Sequence, residues 1–286
     1  CALDPREGGK IAVAEAARNL TCSGARPLAV TDNLNFGNPY KPENFWQLRE
    51  AVEGIAEACR AFGTPVTGGN VSLYNESPAG VVDPTPTIAM VGLIDDEKHI
   101  TTQWFKQESE TIILVGEMGS ELGGSQLLKV CYGKKIGPAP HVDLELEIKM
   151  QNAVRDLIRG GLVKSAHDCS EGGLGVALAE CCFNPEQLFG AEIDLKAGDT
   201  PAATVLFNES QSRIIISVAA NNAERTMSTL REQGVPFQEL GKVGGDDLRI
   251  RVNDETFRWP VTDLHDDWFN AIRRAVEDES ERIPSL

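Results

Sequence analysis

The chain has 286 residues, 41% of them hydrophobic, which fits one large or two modest globular domains with a real core. Its 43 acidic residues against 27 basic ones give a formal charge of -16, which repels phosphate backbones and argues against a non-specific nucleic-acid binder. No run of about 18 apolar residues occurs, and Cys1 to Glu7 have neither the basic flank nor the apolar stretch of a secretory leader, so no membrane partner and a cytoplasmic location are expected.

The first periodic segment, Ile11 to Leu20, is alanine-rich and places Ile11, Ala14, Ala17 and Leu20 on one helical face. Pro27 to Thr31 predicts a short strand. Pro42 opens a second helix in which Phe45, Leu48, Val52, Ile55, Cys59 and Phe62 recur at three- and four-residue spacings until Gly63. Strands are expected over Thr64 to Thr67 and over the apolar run Thr87 to Ile94. Charges from Asp95 to Glu110 precede the strand Thr111 to Val115, and a domain boundary is placed near residue 107. Beyond it the pattern predicts a helix over about 141–160, a loop, a helix opening near Gly173, a strand over Arg213 to Val218, a helix over about 222–233, and strands near Phe237 and over Leu248 to Val252.

The expected class is α/β (α+β), with domains at 1–106 and 107–252 and a helical tail at 253–286 that frays at its end. No internal repeat or low-complexity segment is present. The first unit is expected to carry a four-stranded sheet whose exposed face needs a partner, such as a second copy.

Seven cysteines, with no C-x-x-C pair, read as reduced core thiols. Cys169 lies beside Asp168 but has neither His nor Lys adjacent to generate a thiolate. His99, His141 and His265 are isolated from one another, so zinc is not expected.

Chemistry concentrates in a few polar segments, expected as loops. Thr31-Asp32-Asn33-Leu34-Asn35-Phe36-Gly37-Asn38-Pro39 carries one carboxylate and three carboxamides, hard oxygen donors suited to Mg²⁺ and nucleotide phosphates or, equally, to Asx turns. Gly68-Gly69-Asn70-Val71-Ser72-Leu73-Tyr74-Asn75-Glu76 combines paired glycines with side-chain oxygens, as a phosphate loop or a structural turn would, but matches neither G-x-x-x-x-G-K-[ST] nor G-x-G-x-x-G. His167-Asp168-Cys169-Ser170-Glu171 precedes Gly172-Gly173 and a helix N-terminus that favours an anion; a Ser-His-Asp triad is not expected from adjacent residues. Gly116 to Ser125 is a weaker phosphate-loop candidate, and Asn208 to Arg213 either positions a polar ligand or begins a strand.

D-P-R-E-G-G-K-I-A-V-A-E-A-A-R-N-L (4–20), T-D-N-L-N-F-G-N-P (31–39), G-G-N-V-S-L-Y-N-E (68–76), P-T-P-T-I (84–88) and A-H-D-C-S-E-G-G-L-G-V-A-L-A-E (166–180) resemble the phosphoribosylformylglycinamidine synthase family, specifically the large synthetase subunit of its multi-subunit form. The resemblance covers nearly the whole chain and implies an aminoimidazole-ribonucleotide-synthetase-like N-terminal domain followed by a C-terminal α/β domain. In that family such a pair makes up each of two pseudo-symmetric halves, and this chain resembles the C-terminal one.

The implied activity is that of an ATP-dependent C–N ligase of purine biosynthesis, converting formylglycinamide ribonucleotide and glutamine-derived ammonia to formylglycinamidine ribonucleotide. It implies ATP and Mg²⁺, with Asp32 and Gly69 contacting ATP, Asn70 ligating the metal and Ser72 touching the ribonucleotide. His167, Asp168 and Glu209 to Gln211 are more weakly expected to line the pseudo-symmetric counterpart site. The family's catalytic histidines belong to the other half, so this chain alone is expected to be inactive. Implied partners are that half, the glutaminase subunit and a small accessory subunit. The alternative is a non-catalytic nucleotide-binding scaffold half that docks those subunits. Aminoimidazole ribonucleotide synthetase and selenophosphate synthetase fit less well, the latter because no glycine-rich loop carries a catalytic Cys or Lys.

Overall fold

A computed structural model describes residues 1–280. In chain order its elements are α1 (Pro5–Cys22), β1 (Arg26–Asn35), α2 (Pro42–Phe62), β2 (Val66–Ser72), β3 (Glu76–Ser77), β4 (Gly80–Val81), β5 (Thr85–Leu93), β6 (Thr111–Val115), α3 (Gln126–Tyr132), α4 (Leu144–Arg159), β7 (Val163–Asp168), α5 (Gly173–Cys181), β8 (Ala191–Leu195), α6 (Ala202–Phe207), β9 (Ile214–Val218), α7 (Ala223–Glu232), β10 (Phe237–Val243), β11 (Asp247–Val252), β12 (Glu255–Pro260) and α8 (Val261–Ser280).

The first unit is a three-stranded sheet, β2-β1-β5, with α1 and α2 on one side. It has three strands rather than the expected four, and β3-β4 form a separate hairpin. Helix α1 begins six residues before the alanine-rich run because Asp4 is its N-cap, accepting from Glu7 N at 3.0 Å, and Pro5 supplies a preset first turn. Gly9 and Gly54 let α1 and α2 approach backbone to backbone: a Cβ on Gly9 would meet Ala51 O, and one on Gly54 would meet Arg6 O. Val13, Val30, Leu34, Ala51, Ile55 and Ala58 fill the layer between helices and sheet.

The second unit is built on a seven-stranded sheet in the order β12-β11-β8-β10-β6-β9-β7. Its neighbouring inner strands β6 and β9 are buried along their whole length, and alternation divides their side chains between two cores. Ile112, Leu114 and Ile215 face α5 and α6, whereas Ile113, Val115, Ile214 and Ile216 face α4 and α7. Several elements exceed the sequence expectations. Val163–Asp168, expected as a loop, is an edge strand, and β8, α3 and α6 were not foreseen. Residues 255–260, expected in the helical tail, form β12, paired with β11 from Asp247↔Pro260 to Val252↔Glu255. The helix therefore starts at Val261, and the expected fraying at 281–286 lies outside the described residues.

A buried polar network joins the two units. Arg18 of α1, wholly buried, donates to Glu147 Oε2 of α4 at 2.9 Å and to Gln211 Oε1 at 3.0 Å. Glu147 also accepts from Gln151 at 2.7 Å and Ser212 Oγ at 2.5 Å, while Thr21 Oγ1 donates to Gln151 Oε1 at 3.1 Å. Arg18→Ala leaves the Glu147 charge buried without its cation and is expected to destabilise the chain by about 3–5 kcal/mol. Arg18→Met with Glu147→Leu is expected to recover most of that loss, and urea unfolding of the single and double variants measures both.

Candidate functional site

The first parts of the two segments expected as ligand loops, residues 31–35 and 68–72, are neighbouring strands, and residues 36–39 and 73–75 lie outside any strand. β1 runs on through Asp32-Asn33-Leu34-Asn35 because it is bonded on both sides, parallel to β2 and antiparallel to β5. The pairing sets Asp32 beside Gly69, Asn33 beside Asn70 and Asn35 beside Ser72. Strand alternation then divides the expected site residues between two faces. Asp32 and Gly69 lie on the side of Val30 and Leu34, towards the helices. Asn70 and Ser72 share the open face with Thr31, Asn33 and Asn35.

Side-chain contacts follow this division. A Cβ on Gly69 would collide with the Asp32 carboxylate, so glycine is what lets that carboxylate lie across the neighbouring strand. Partial burial holds the Asp32 carboxyl above its ordinary value. On the open face Asn70 Nδ2 donates to Asn33 Oδ1 at 3.2 Å, and Ser72 Oγ donates to Asn75 Oδ1 at 3.2 Å. Asn75 in turn donates to Phe36 O at 3.1 Å and Ser72 O at 2.9 Å, fixing the turn after β2. Asn33 and Asn35 therefore stand in the same polar patch as Asn70 and Ser72. Their alternation with Leu34 carried that information, but the register with β2 is not readable from one strand.

A cleft of about 430 Å³ opens between the units, lined by Glu15 on α1, Thr85 at the start of β5, Gly123 and Gly124, Ser170 and Glu171, and Glu209 and Gln211. Of the residues weakly expected in the counterpart site, Glu209 and Gln211 line this cleft, while Ser210 is buried. His167 and Asp168 line a different cavity of about 310 Å³, beside Asn19, Thr102 and Trp104. The Glu15 carboxyl is pushed up by burial against the pull of Arg18, with Asp168, Glu171 and Glu209 adding like-charge repulsion.

Three backbone amides beside this cleft are engaged by the chain itself. Glu209 Oε1 accepts from Gly172 N at 2.9 Å and from Gln126 N at 2.8 Å, and Gly173 N donates to Ser170 O at 3.0 Å. Arg213 completes the frame, donating to the carbonyls of Ser210, Met118 and Asn208 at 2.9, 3.0 and 2.7 Å.

His167 is the most strongly shifted histidine in this region. Burial lowers its pKa, but Asp168 and Glu180 outweigh it and raise the value to about 9, so the ring is cationic at neutral pH. Its Nε2 lies 2.8 Å from Glu180 Oε2 and its Nδ1 3.5 Å from Asp168 Oδ1. Burial alone would raise Asp168, yet His167, Arg18 and Ser170 hold its carboxyl below the ordinary value. Cys169 is fully buried and its thiol is pushed up to about 11 by burial, which excludes it as a ready thiolate.

The AIR synthase related protein N-terminal domain model matches residues 1–94, and the corresponding C-terminal domain model matches residues 107–253. The chain belongs to the AIR synthase related family. Among curated relatives, "Phosphoribosylformylglycinamidine synthase subunit PurL" of Moorella thermoacetica is 48% identical over 95% of this chain, and that of Alkaliphilus metalliredigens is 43% identical over 97%. The chain spans 37% of the length of each of these relatives. Among solved structures, T. maritima PurL complexed with FGAR superposes with a TM-score of 0.75 at 20% identity, covering 92% of this chain and 43% of that one. E. coli HypE, a hydrogenase maturation protein, gives 0.67 at 18% identity over 88% of this chain and 79% of its own. Both likenesses establish the α/β fold of this AIR synthase related chain.

Two measurements check the site's electrostatics. Gly69→Ala displaces the Asp32 carboxylate towards solvent and is expected to lower its pKa towards 3.8, read by NMR titration. Because the folded value of His167 is raised, its contribution to stability is complete below about pH 6.5 and is lost as pH rises through about 9. His167→Gln is expected to lower the melting temperature near neutral pH and to shrink the wild-type decline across that window.

Proposed function

We propose that this chain is the C-terminal half of an ATP-dependent phosphoribosylformylglycinamidine synthase, a cytoplasmic C–N ligase of purine biosynthesis. The observation that carries the reading is the side-by-side placement of T-D-N-L-N (31–35) and G-G-N-V-S (68–72) on β1 and β2, in a chain 48% identical to a curated subunit of that synthase. The substrate assigned to it is formylglycinamide ribonucleotide, with ammonia drawn from glutamine on a separate subunit.

In this reading Asp32 and Gly69 hold ATP and Ser72 touches the ribonucleotide. The donor set fits Mg²⁺ in a particular way. Among the described residues no group of three or more His, Cys, Asp or Glu gathers as a metal cage. Asn70 instead offers one neutral oxygen on an open face, which suits a hard cation that takes most of its charge from nucleotide phosphates. Mg²⁺, when bound, neutralises phosphate charge. β2 is the free edge of its sheet, so a nucleotide along that edge has access both to Gly69 and Asp32 and to Asn70. ATP would phosphorylate the substrate amide oxygen, and ammonia would displace phosphate to leave the amidine. No catalytic proton-transfer residue is assigned here; the other half of the synthase supplies it, and the chain alone is inactive.

The open face of β2-β1-β5 is assigned as the docking surface for that half, with the glutaminase and small accessory subunits joining the assembly. Among the described residues no helix is long and apolar enough to cross a membrane. The test is ADP release with formylglycinamide ribonucleotide, ATP, Mg²⁺ and ammonium, using this chain alone and then with the complementary half. Activity is expected only in the mixture, and Asp32→Asn or Asn70→Ala is expected to reduce it on the order of 100-fold. Activity of this chain alone would refute the split-site assignment, and unchanged activity in both variants would favour a scaffold role.

A further inference from the structure

Among the described residues, helix α8 meets the body through its first turns. Val261 is buried, Leu264 and Trp268 line an apolar cavity of about 290 Å³ with Phe207, Leu248 and Trp259, and His265 packs edge-on against Phe183 with centroids 5.4 Å apart. Trp268 Nε1 donates to Glu180 Oε1 at 3.3 Å. Beyond this anchor Phe269, Ile272 and Val276 are 69%, 82% and 62% exposed. With 3.6 residues per turn, His265, Phe269, Ile272 and Val276 fall within an arc of about 60°. A stripe of this kind on a charged helix is the mark of a helix that packs against another.

We propose that α8 is the contact through which two copies of this chain associate, antiparallel about a twofold axis between Asn270 and Ala271. Charge placement selects both the partner and the direction. Asp266 and Arg273 flank the same edge of the stripe, two turns apart, and Trp268 and Ala275 flank the other. Antiparallel pairing about that axis sets Phe269 against Ile272 and His265 against Val276, Asp266 beside Arg273 twice over, and each Trp268 over the small Ala275. A parallel pairing sets Asp266 against the Trp268 edge and leaves the charges without opposite partners. The present partners of these charges, Arg274 and Asn270 for Asp266 and Glu277 for Arg273, are exposed contacts of small energetic value, so re-pairing costs little. A three-turn contact falls short of the roughly 800 Å² per partner of a standard interface, so association in the micromolar range is expected.

Sedimentation of the full chain over about 1–100 µM tests this. The wild type is expected to dimerise, and Phe269→Glu with Ile272→Glu to remain monomeric with unchanged circular dichroism and melting temperature. Asp266→Arg alone and Arg273→Asp alone are each expected to weaken self-association about tenfold or more, and an equimolar mixture of the two to restore it by complementary pairing. A monomeric wild type overturns the proposal. So does a dimer that survives the Phe269/Ile272 substitutions, which would assign association to the open face of the three-stranded sheet. Failure of the mixed charge variants to associate overturns the antiparallel register.

Discussion

Everything at the junction of the two units is organised around one ion pair, Arg18 with Glu147. A guanidinium withdrawn completely from water is tolerable only if its charge is met, and the partners of its two terminal nitrogens come from separate stretches of the second unit, Glu147 on α4 and Gln211 on the loop before β9, while Nε is buried without a partner. The pair thus fixes α1 against α4 and holds the 208–213 loop between them. Arg213 grips that loop from the other side, and Glu209 ties it to the Gly172 turn and the start of α3. The cleft between units takes its shape from this chain of contacts, since each wall is an element the network holds in place.

The sheet of the first unit obeys a different constraint. Its inner face is packed by α1 and α2, but its outer face carries Thr31, Asn33, Asn35, Asn70 and Ser72, side chains that bond one another or their neighbours' backbones rather than build a core. Such a surface contributes little to folding of the unit itself. What it offers is a flat array of neutral oxygen and nitrogen groups beside a free strand edge, and the proposed nucleotide and metal contacts depend on that array.

Elements with strong periodicity were legible from sequence. Helix α2 begins at Pro42 and ends before Gly63 as its apolar spacing requires, and β6 occupies the expected Thr111 to Val115. Polar strands were not legible. Asp32 to Asn35 and Gly68 to Ser72 have turn composition and become strands because they pair with each other across 37 residues, and Asp32 to Asn35 also with β5. Val163 to Asp168 was hidden for the same reason, its conformation being set by β9. The segments of the candidate site could be located by their oxygen-rich side chains. Their division between two faces, and the capture of the Gly172 and Gln126 amides by Glu209, depend on register and on contacts distant in sequence.

The strand order of the larger sheet has a consequence for how the chain is made. β10, residues 237–243, lies between β8 and β6, although both of those precede it by more than forty residues. As the polypeptide leaves the ribosome, the first unit has all three strands of its sheet once Leu93 has emerged. The second cannot join its halves until β10 is synthesised, and until then the apolar side chains of β6 and β8 have no strand between them. A nascent chain stalled anywhere between β8 and β10 would carry a finished first unit and an unsealed second one, a species for chaperones to hold and for proteases to clear.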